Sequence, residues 1–377
     1  MTTGNRRPPR DPVAEVRGES RLPRILIVST DYGPPWEEGE KNIARVLESA
    51  LSQQRWQGAV CSNLQSDIEA GPHHRGSLRE LRTSVRFWLH AARTARRQGV
   101  SVVHLLSSVS SLLGVKCQVI KRLSGASLLL HVTGLATPMR GYRLGLRADR
   151  IVVGGSYLQP LFPGAVNLPP ISPHVNPHLD RETAHGPRGG TPRRILYLGA
   201  MEPERGVHTL IDALAVLRAE LGWSDFTATL AWNGHGSKAY VALLRERVRA
   251  QALDEHVRWE GVVSDLGTLY RTHDCVVIPH AGAERMGFPL RLIEALSYGK
   301  PVVVSDVGEM PRVVDGCGLV FPRGSTQGLA RSLRRLLSDG NLYRRSIGAA
   351  YEAAQQYDNS RTVGRFLELY RELAHAS

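Results

Sequence analysis

Between Asp274 and Ser305 the chain reads DCVVIPHAGAERMGFPLRLIEALSYGKPVVVS, an apolar run, a polar loop, a short helical stretch and a second apolar run. Gly287, Arg291 and Glu294 recur at i, i+4 and i+7, so turn, guanidinium and carboxylate line one side of the loop and helix. Gly287, Phe288, Pro289 and Leu290 form the turn, with Pro289 where a first helical turn tolerates it and Gly299 where a helix ends. Amides at a helix N-terminus favour phosphate, Arg291 can grip it, and Glu294 suits a ribose diol. The chemistry expected of this segment is the binding of a nucleoside diphosphate at the carboxyl end of a parallel strand.

The elements that must position these residues are legible as alternating apolar runs and amphipathic stretches. Strands are expected at 24–29, 102–106, 127–131 and 149–153, with helices from the end of the loop TDYGPPWEEGEKN to about Gln53, over Leu78–Arg97 and over Leu113–Leu123. The pattern fails between Pro163 and Pro192, where FPGAVNLPPISPHVNPH and HGPRGGTP read as linker. It restarts with strands at 194–198, 227–231, 257–259, 275–278, 302–304 and 319–321, and ends in a helix over Thr362–Ala374. Strands alternating with helices imply wound parallel sheets. The expected layout is a lead-in over 1–22, a first α/β domain over 23–175, a second over 176–356, and a last helix within 357–377 returning to the first.

The 377 residues suffice for two cores, and 42% hydrophobic content supports them. No run is long and apolar enough to span a membrane. The first 22 residues are polar and charged, so an unstructured lead-in is expected there rather than a secretion signal. The four cysteines are scattered without a Cys-x-x-Cys pair. That spacing points to reduced thiols, a cytoplasmic setting and no zinc site. The formal charge is +13, and residues 1–180 hold 23 of the 48 Lys and Arg but only 13 of the 35 Asp and Glu. The basic stretch Leu78–Arg97 could contact an anionic membrane surface or be a solvated helix face. The basic excess lacks the aromatic interleaving of a single-strand nucleic-acid binder, so no nucleic-acid partner is expected.

From Arg194 to Arg335 the order of motifs resembles the donor half of family 4 glycosyltransferases. The carrying segments are YLGAMEPERGVHTLIDAL, TLAWNGHG, VRWEGVVSDLGTLYRTHDCVVIP and GFPLRLIEALSYGKPVVVSDVGEMPRVV. RILIVSTDYGPP, SLLLHVTG and ADRIVVGGS resemble the family's first half more loosely. The resemblance implies a GT-B fold, two Rossmann-like domains facing across a cleft. It also implies retaining transfer of a sugar from a nucleoside-diphosphate sugar, most commonly a UDP-sugar, to an acceptor hydroxyl, with no metal and no cofactor beyond that co-substrate. The acceptor would be a small natural product, a glycan or a lipid-linked intermediate.

Residue by residue, the resemblance puts Glu294 on the ribose and Arg205 on the diphosphate, where the family carries Lys. Gly234 and Gly236 form a turn near the base, and Gly39 with Glu37 and Glu40 faces the acceptor. His131, or Thr133 in an alternative alignment, lies beside the transferred sugar. Two positions depart from the pattern: Met286 occupies the place of the family's first Glu, with Glu284 two residues earlier as a substitute, and Ala200 replaces an Arg. These departures leave two alternatives open, a catalytically impaired nucleotide-sugar-binding relative and a GT-B sugar-nucleotide epimerase. A dehydrogenase is disfavoured because no Gly-x-Gly-x-x-Gly follows the first strand.

Overall fold

The computed structural model describes residues 22–29, 39–62, 78–135, 141–175, 193–282 and 288–376. The lead-in over residues 1–21 and the loops carrying Glu37, Glu284, Met286 and Gly287 lie outside the described residues.

Two six-stranded sheets, each wholly parallel, make the two lobes. The first contains β1 (Arg24–Val28), β2 (Gln57–Cys61), β3 (Val102–Val109), β4 (Ser127–Leu135), β5 (Arg150–Val153) and β6 (Val166–Asn167), in the order β2-β1-β3-β4-β5-β6. Its connecting helices are α1 (Gly39–Gln53), α2 (Leu78–Arg97) and α3 (Leu113–Ser124). The second contains β7 (Arg193–Met201), β8 (Phe226–Gly236), β9 (Val257–Glu260), β10 (Cys275–Ile278), β11 (Val302–Ser305) and β12 (Gly318–Phe321). Its strand order is β12-β11-β10-β7-β8-β9. Helices α4 (Val207–Ala219), α5 (Lys238–Ala250), α6 (Leu266–Thr272), α7 (Leu290–Ser297), α8 (Met310–Val313), α9 (Thr326–Ser338) and α10 (Gly340–Gln355) cover both faces, and α11 (Asn359–His375) closes the chain.

Parallel strands covered on both faces need apolar side chains at nearly every position. Cys275–Ile278 and Val302–Ser305 are buried throughout, which is why these two runs read as strands without alternation. Each sheet has an apolar layer on either side, two in the second lobe and two in the first. Phe366, Leu367, Leu369, Tyr370 and Leu373 of α11 pack with Ile25, Ile27 and Leu47 of the first lobe, so the chain's last helix crosses back to it. Asp358 caps that helix, its side chain accepting from the Ser360 amide.

Three details differ from the sequence reading. Strands β2 and β6 are not apparent as periodic runs: QGAVC is half exposed, and Val166–Asn167 sits among prolines and is only two residues long. The segment Gly234–Gly236, expected as a turn after a strand, instead continues β8. After a register shift between Gly199 and Met201, β7 still pairs Met201 with Gly236. Gly236 has φ 117°, and a Cβ there would strike the Met201 carbonyl, so glycine lets the extension pass close to β7.

Candidate active site between the lobes

In the second lobe the strand order is that of a doubly wound sheet, and successive connections diverge between β7 and β10. A crevice opens at the carboxyl ends of strands where the connections diverge, and ligands of such sheets bind there. The segments leaving β7 and β10 carry Arg205 and His280. A cavity of about 270 Å³ lies at this point. Its second-lobe lining includes Ala200, Arg205, His280, Phe288, Pro289, Leu290, Arg291 and Glu294, and its first-lobe lining includes Glu40, Asn42, Ser108, His131 and Thr133.

Arg205 ends a single 3-10 turn, Pro203–Arg205, that follows β7. Gly206 then takes φ 70°, and a Cβ on it would collide with the Pro279 carbonyl of the segment after β10. Only glycine allows that approach, which holds Arg205 against His280. The Arg205 guanidinium donates to His280 Nε2 at 3.3 Å and has Glu202 3.9 Å away. Burial, with Arg205 beside it, pushes the His280 pKa down to about 3, so its ring is neutral.

Glu294 sits in the middle of α7 and is 0% exposed. It is no solvated helix carboxylate: Oε1 accepts from the Ser172 hydroxyl at 2.6 Å, and Oε2 accepts from Tyr270 at 2.9 Å and Arg291 at 2.7 Å. Burial opposes its charged form, but Arg291 and the Ser172 hydroxyl outweigh that and hold the carboxyl below its ordinary range. Two carboxylate oxygens offer about four acceptor positions. Donation from Ser172, Tyr270 and Arg291 leaves room at the cavity edge for a ligand hydroxyl. Arg291, also a cavity-lining residue, is committed to Glu294 and so fixes the carboxylate as well as facing the ligand.

Across the cavity, α1 begins at Gly39 and places Glu40 in its first turn. Glu40 Oε1 accepts from Thr133 at 2.6 Å and from Ser108 at 3.3 Å, tying α1 to the ends of β3 and β4. Lys116, buried in α3, donates to Ser107 at 2.9 Å; burial pulls its pKa down and Glu40 opposes that. His131 is 2% exposed and lines the cavity. Its ring stacks on His104 at 5.4 Å and lies 5.2 Å from Phe366 of α11. Burial lowers the His131 pKa to about 3, leaving another neutral imidazole beside the ligand space.

The structure thus brings together at one cavity Arg205, Phe288, Pro289, Leu290, Arg291 and Glu294 from one lobe, and Glu40, His131 and Thr133 from the other. Pro289 precedes α7 instead of occupying its first turn. Gly234 and Gly236 are not among the described residues lining the cavity; the β8 extension instead pairs Gly236 with Met201 of β7. Sequence reasoning missed Asn42, Ser108, Ser172 and Tyr270. Ser172 lies in the proline-rich crossing between lobes, where periodicity carries no signal, and Tyr270 reads as an ordinary core residue of α6. Among the described residues no group of three or more His, Cys, Asp or Glu is placed to hold a metal ion.

Residues 192–339 match the family model described as glycosyl transferases group 1. A phosphatidyl-myo-inositol mannosyltransferase of Mycobacterium leprae is 33% identical over 190 residues, covering 48% of this chain and 47% of that protein. A D-inositol 3-phosphate glycosyltransferase of Jonesia denitrificans is 29% identical over 211 residues, 55% of this chain and 48% of that one. The chain spans about half the length of these curated relatives. Among solved structures, sucrose-phosphate synthase of Thermosynechococcus elongatus superposes with a TM-score of 0.74 at 19% identity, covering 94% of this chain and 100% of that one. HepE of Anabaena in complex with UDP superposes at 0.67 and 17% identity, covering 93% and 100%. The match over residues 192–339 makes the second lobe similar to glycosyl transferases group 1 domains, and the two facing parallel sheets have the GT-B architecture of these solved structures.

Proposed function

We propose that this protein transfers a sugar, with retention of anomeric configuration, from a nucleoside-diphosphate sugar to an acceptor hydroxyl. The observation that carries the reading is the convergence of Arg205 and Glu294 on one cavity at the divergence point of a doubly wound sheet. In this reading Glu294, held by Ser172, Tyr270 and Arg291, accepts from the ribose hydroxyls. Arg205 and the amides at the start of α7 meet the negative charge that grows on the departing diphosphate, where fixed donors lower a barrier most. His131, neutral at working pH, exchanges a hydrogen bond with a hydroxyl of the transferred sugar. The acceptor lies against the first lobe by Glu40 and Thr133 and attacks from the face the diphosphate leaves. The departing phosphate takes the acceptor's proton, so no separate base is assigned.

UDP is the favoured nucleotide, supported by the HepE neighbour whose crystals hold it. The phosphatidyl-myo-inositol and D-inositol 3-phosphate in the names of two relatives support a glycolipid or polyol acceptor for this chain. No helix among the described residues is long and apolar enough to cross a membrane, and α2 presents Arg82, Arg86, Arg93 and Arg96 on a helix whose Leu81 is exposed. That face suits transient contact with an anionic bilayer carrying a lipid acceptor. The buried, widely separated cysteines suit a reducing, cytoplasmic setting. The reading assigns no metal or cofactor. Its test is slow donor hydrolysis across a panel of nucleotide sugars with and without EDTA, alongside calorimetry with UDP, GDP, ADP and dTDP. Binding of one nucleotide and EDTA-insensitive release of sugar with retained configuration are expected. No heat with any of the four overturns the reading.

A further inference from the structure

His280 stands at the end of β10, 5% exposed, and lines the cavity. An arginine side chain only donates, so the 3.3 Å contact from Arg205 requires Nε2 of His280 to accept. A neutral imidazole that accepts at Nε2 carries its proton on Nδ1. In the protein Nδ1 is buried and has no hydrogen-bond partner. Such a donor is costly to leave unmade, and native proteins leave few of them without a reason. Arg205 therefore fixes the tautomer of its neighbour, and the consequence is an unmatched N–H on a ring that lines the cavity.

We propose that His280 Nδ1–H is a ligand-binding donor, giving its hydrogen bond to an oxygen of the bound nucleotide's diphosphate beside Arg205. The inference rests on the nucleotide-sugar reading and adds a neutral donor to the cationic one. Sequence alone offers no account of His280; the structure supplies two roles for it, an acceptor for Arg205 and a donor for the ligand, one on each ring nitrogen.

Two substitutions separate these roles. His280→Gln places a carbonyl near Nε2 and can still accept from Arg205, but removes the Nδ1–H. His280→Asn places an N–H near Nδ1. Titration calorimetry would use the nucleoside diphosphate that the wild type binds best among UDP, GDP, ADP and dTDP, and the matching monophosphate. A hydrogen bond to a charged oxygen is worth about 1.5–3 kcal/mol, so the Gln variant is expected to bind the diphosphate roughly 10- to 100-fold more weakly. The monophosphate should bind nearly as before, the Asn variant should keep most of the diphosphate affinity, and the loss in His280→Gln should persist in an Arg205→Ala background. Gln binding within about twofold of wild type overturns the proposal, as does a loss that vanishes once Arg205 is gone, because His280 would then only position the arginine. Nitrogen-15 NMR of histidine-labelled wild-type protein checks the same point without substitution. It should show the Nδ1-protonated tautomer of His280 with its N–H signal moving on addition of the diphosphate; an Nε2-protonated ring overturns the proposal. A wild type that binds none of the four nucleotides defeats the functional reading itself, a different result from a wild type that binds and a Gln variant that binds as well.

Discussion

The most heavily coordinated polar group of the site is the Glu294 carboxylate, whose three donors come from three separate segments. Removing one partner from a buried pair leaves the other charge unmatched, so Glu294 and Arg291 stand or fall together. Glu294→Gln keeps the shape but discards the charge facing Arg291. It is expected to cost about 1–3 kcal/mol of stability, read as a lowered melting temperature, and to weaken nucleotide binding at least tenfold by calorimetry. Arg205 differs in kind, since its side chain is 38% exposed with Glu202 nearby. In the proposed reaction its charge matters most once the diphosphate begins to leave. Arg205→Ala should therefore lower kcat by about 100-fold while KM for the donor changes little, and an equal rise in KM would place the arginine in ground-state binding instead.

At the scale of elements, positioning depends on the close approach of the segments leaving β7 and β10. Gly206 makes that approach possible, through both its left-handed backbone and its missing side chain. Gly206→Ala should destabilise the second lobe by at least about 1–3 kcal/mol and reduce turnover, because the Arg205 turn must shift to relieve the collision. A melting temperature equal to wild type would show that the turn is adaptable. Helix α2 makes a separate prediction: the protein should sediment with anionic vesicles at moderate salt and stay in solution with neutral ones. Substituting Arg82 and Arg86 by Gln should weaken that association severalfold, and equal partition onto both vesicle types would remove the helix from the acceptor story.

Over the whole molecule, two carboxylates and a set of buried imidazoles tie stability to pH. Glu309, at the start of α8, accepts from the Ser156 hydroxyl and the Tyr157 amide of the first lobe and from Arg312 of its own. Burial opposes its charge, yet these hydrogen bonds hold its pKa below the usual carboxylate range, as at Glu294. His131 and His280 are held down to about 3 and His104 lies well below its ordinary value, all through burial first. Every one of these folded-state values is depressed, so the unfolded chain takes up protons first as pH falls. Stability is therefore full above about pH 6.5 and is lost on acidification, first through the imidazoles and then, below about pH 4.5, through the carboxylates. Each neutral buried imidazole steepens the loss by about 1.4 kcal/mol per pH unit between roughly pH 5.5 and 4. Denaturant titrations at stepped pH should show this slope, and it should be shallower in His131→Phe. An unchanged slope would mean that His131 takes its proton in the folded state. Glu309→Ala also removes a contact that joins the lobes, and faster proteolysis in the crossing segments without bound nucleotide is the expected sign.

The sequence by itself determined the wound parallel sheets. Apolar runs such as VVVS and CVVI cannot be solvated, and amphipathic stretches between them leave one arrangement that buries both faces. It also put Arg205 and Glu294 in one proposed donor site, because the order of motifs over residues 194–335 is specific even where single motifs are weak, and both line one cavity. It did not determine which polar groups meet. Ser172 reaches Glu294 across 122 positions of sequence, and Tyr370 reaches His104 across 266. Neither pair leaves a periodic trace. Nor could spacing show that Gly234 and Gly236 would be drawn into a strand, or that an arginine would set the tautomer of His280. Those outcomes depend on which segments lie side by side once two lobes and a returning helix have packed, and hydrogen bonds between distant segments exist only after that packing is complete.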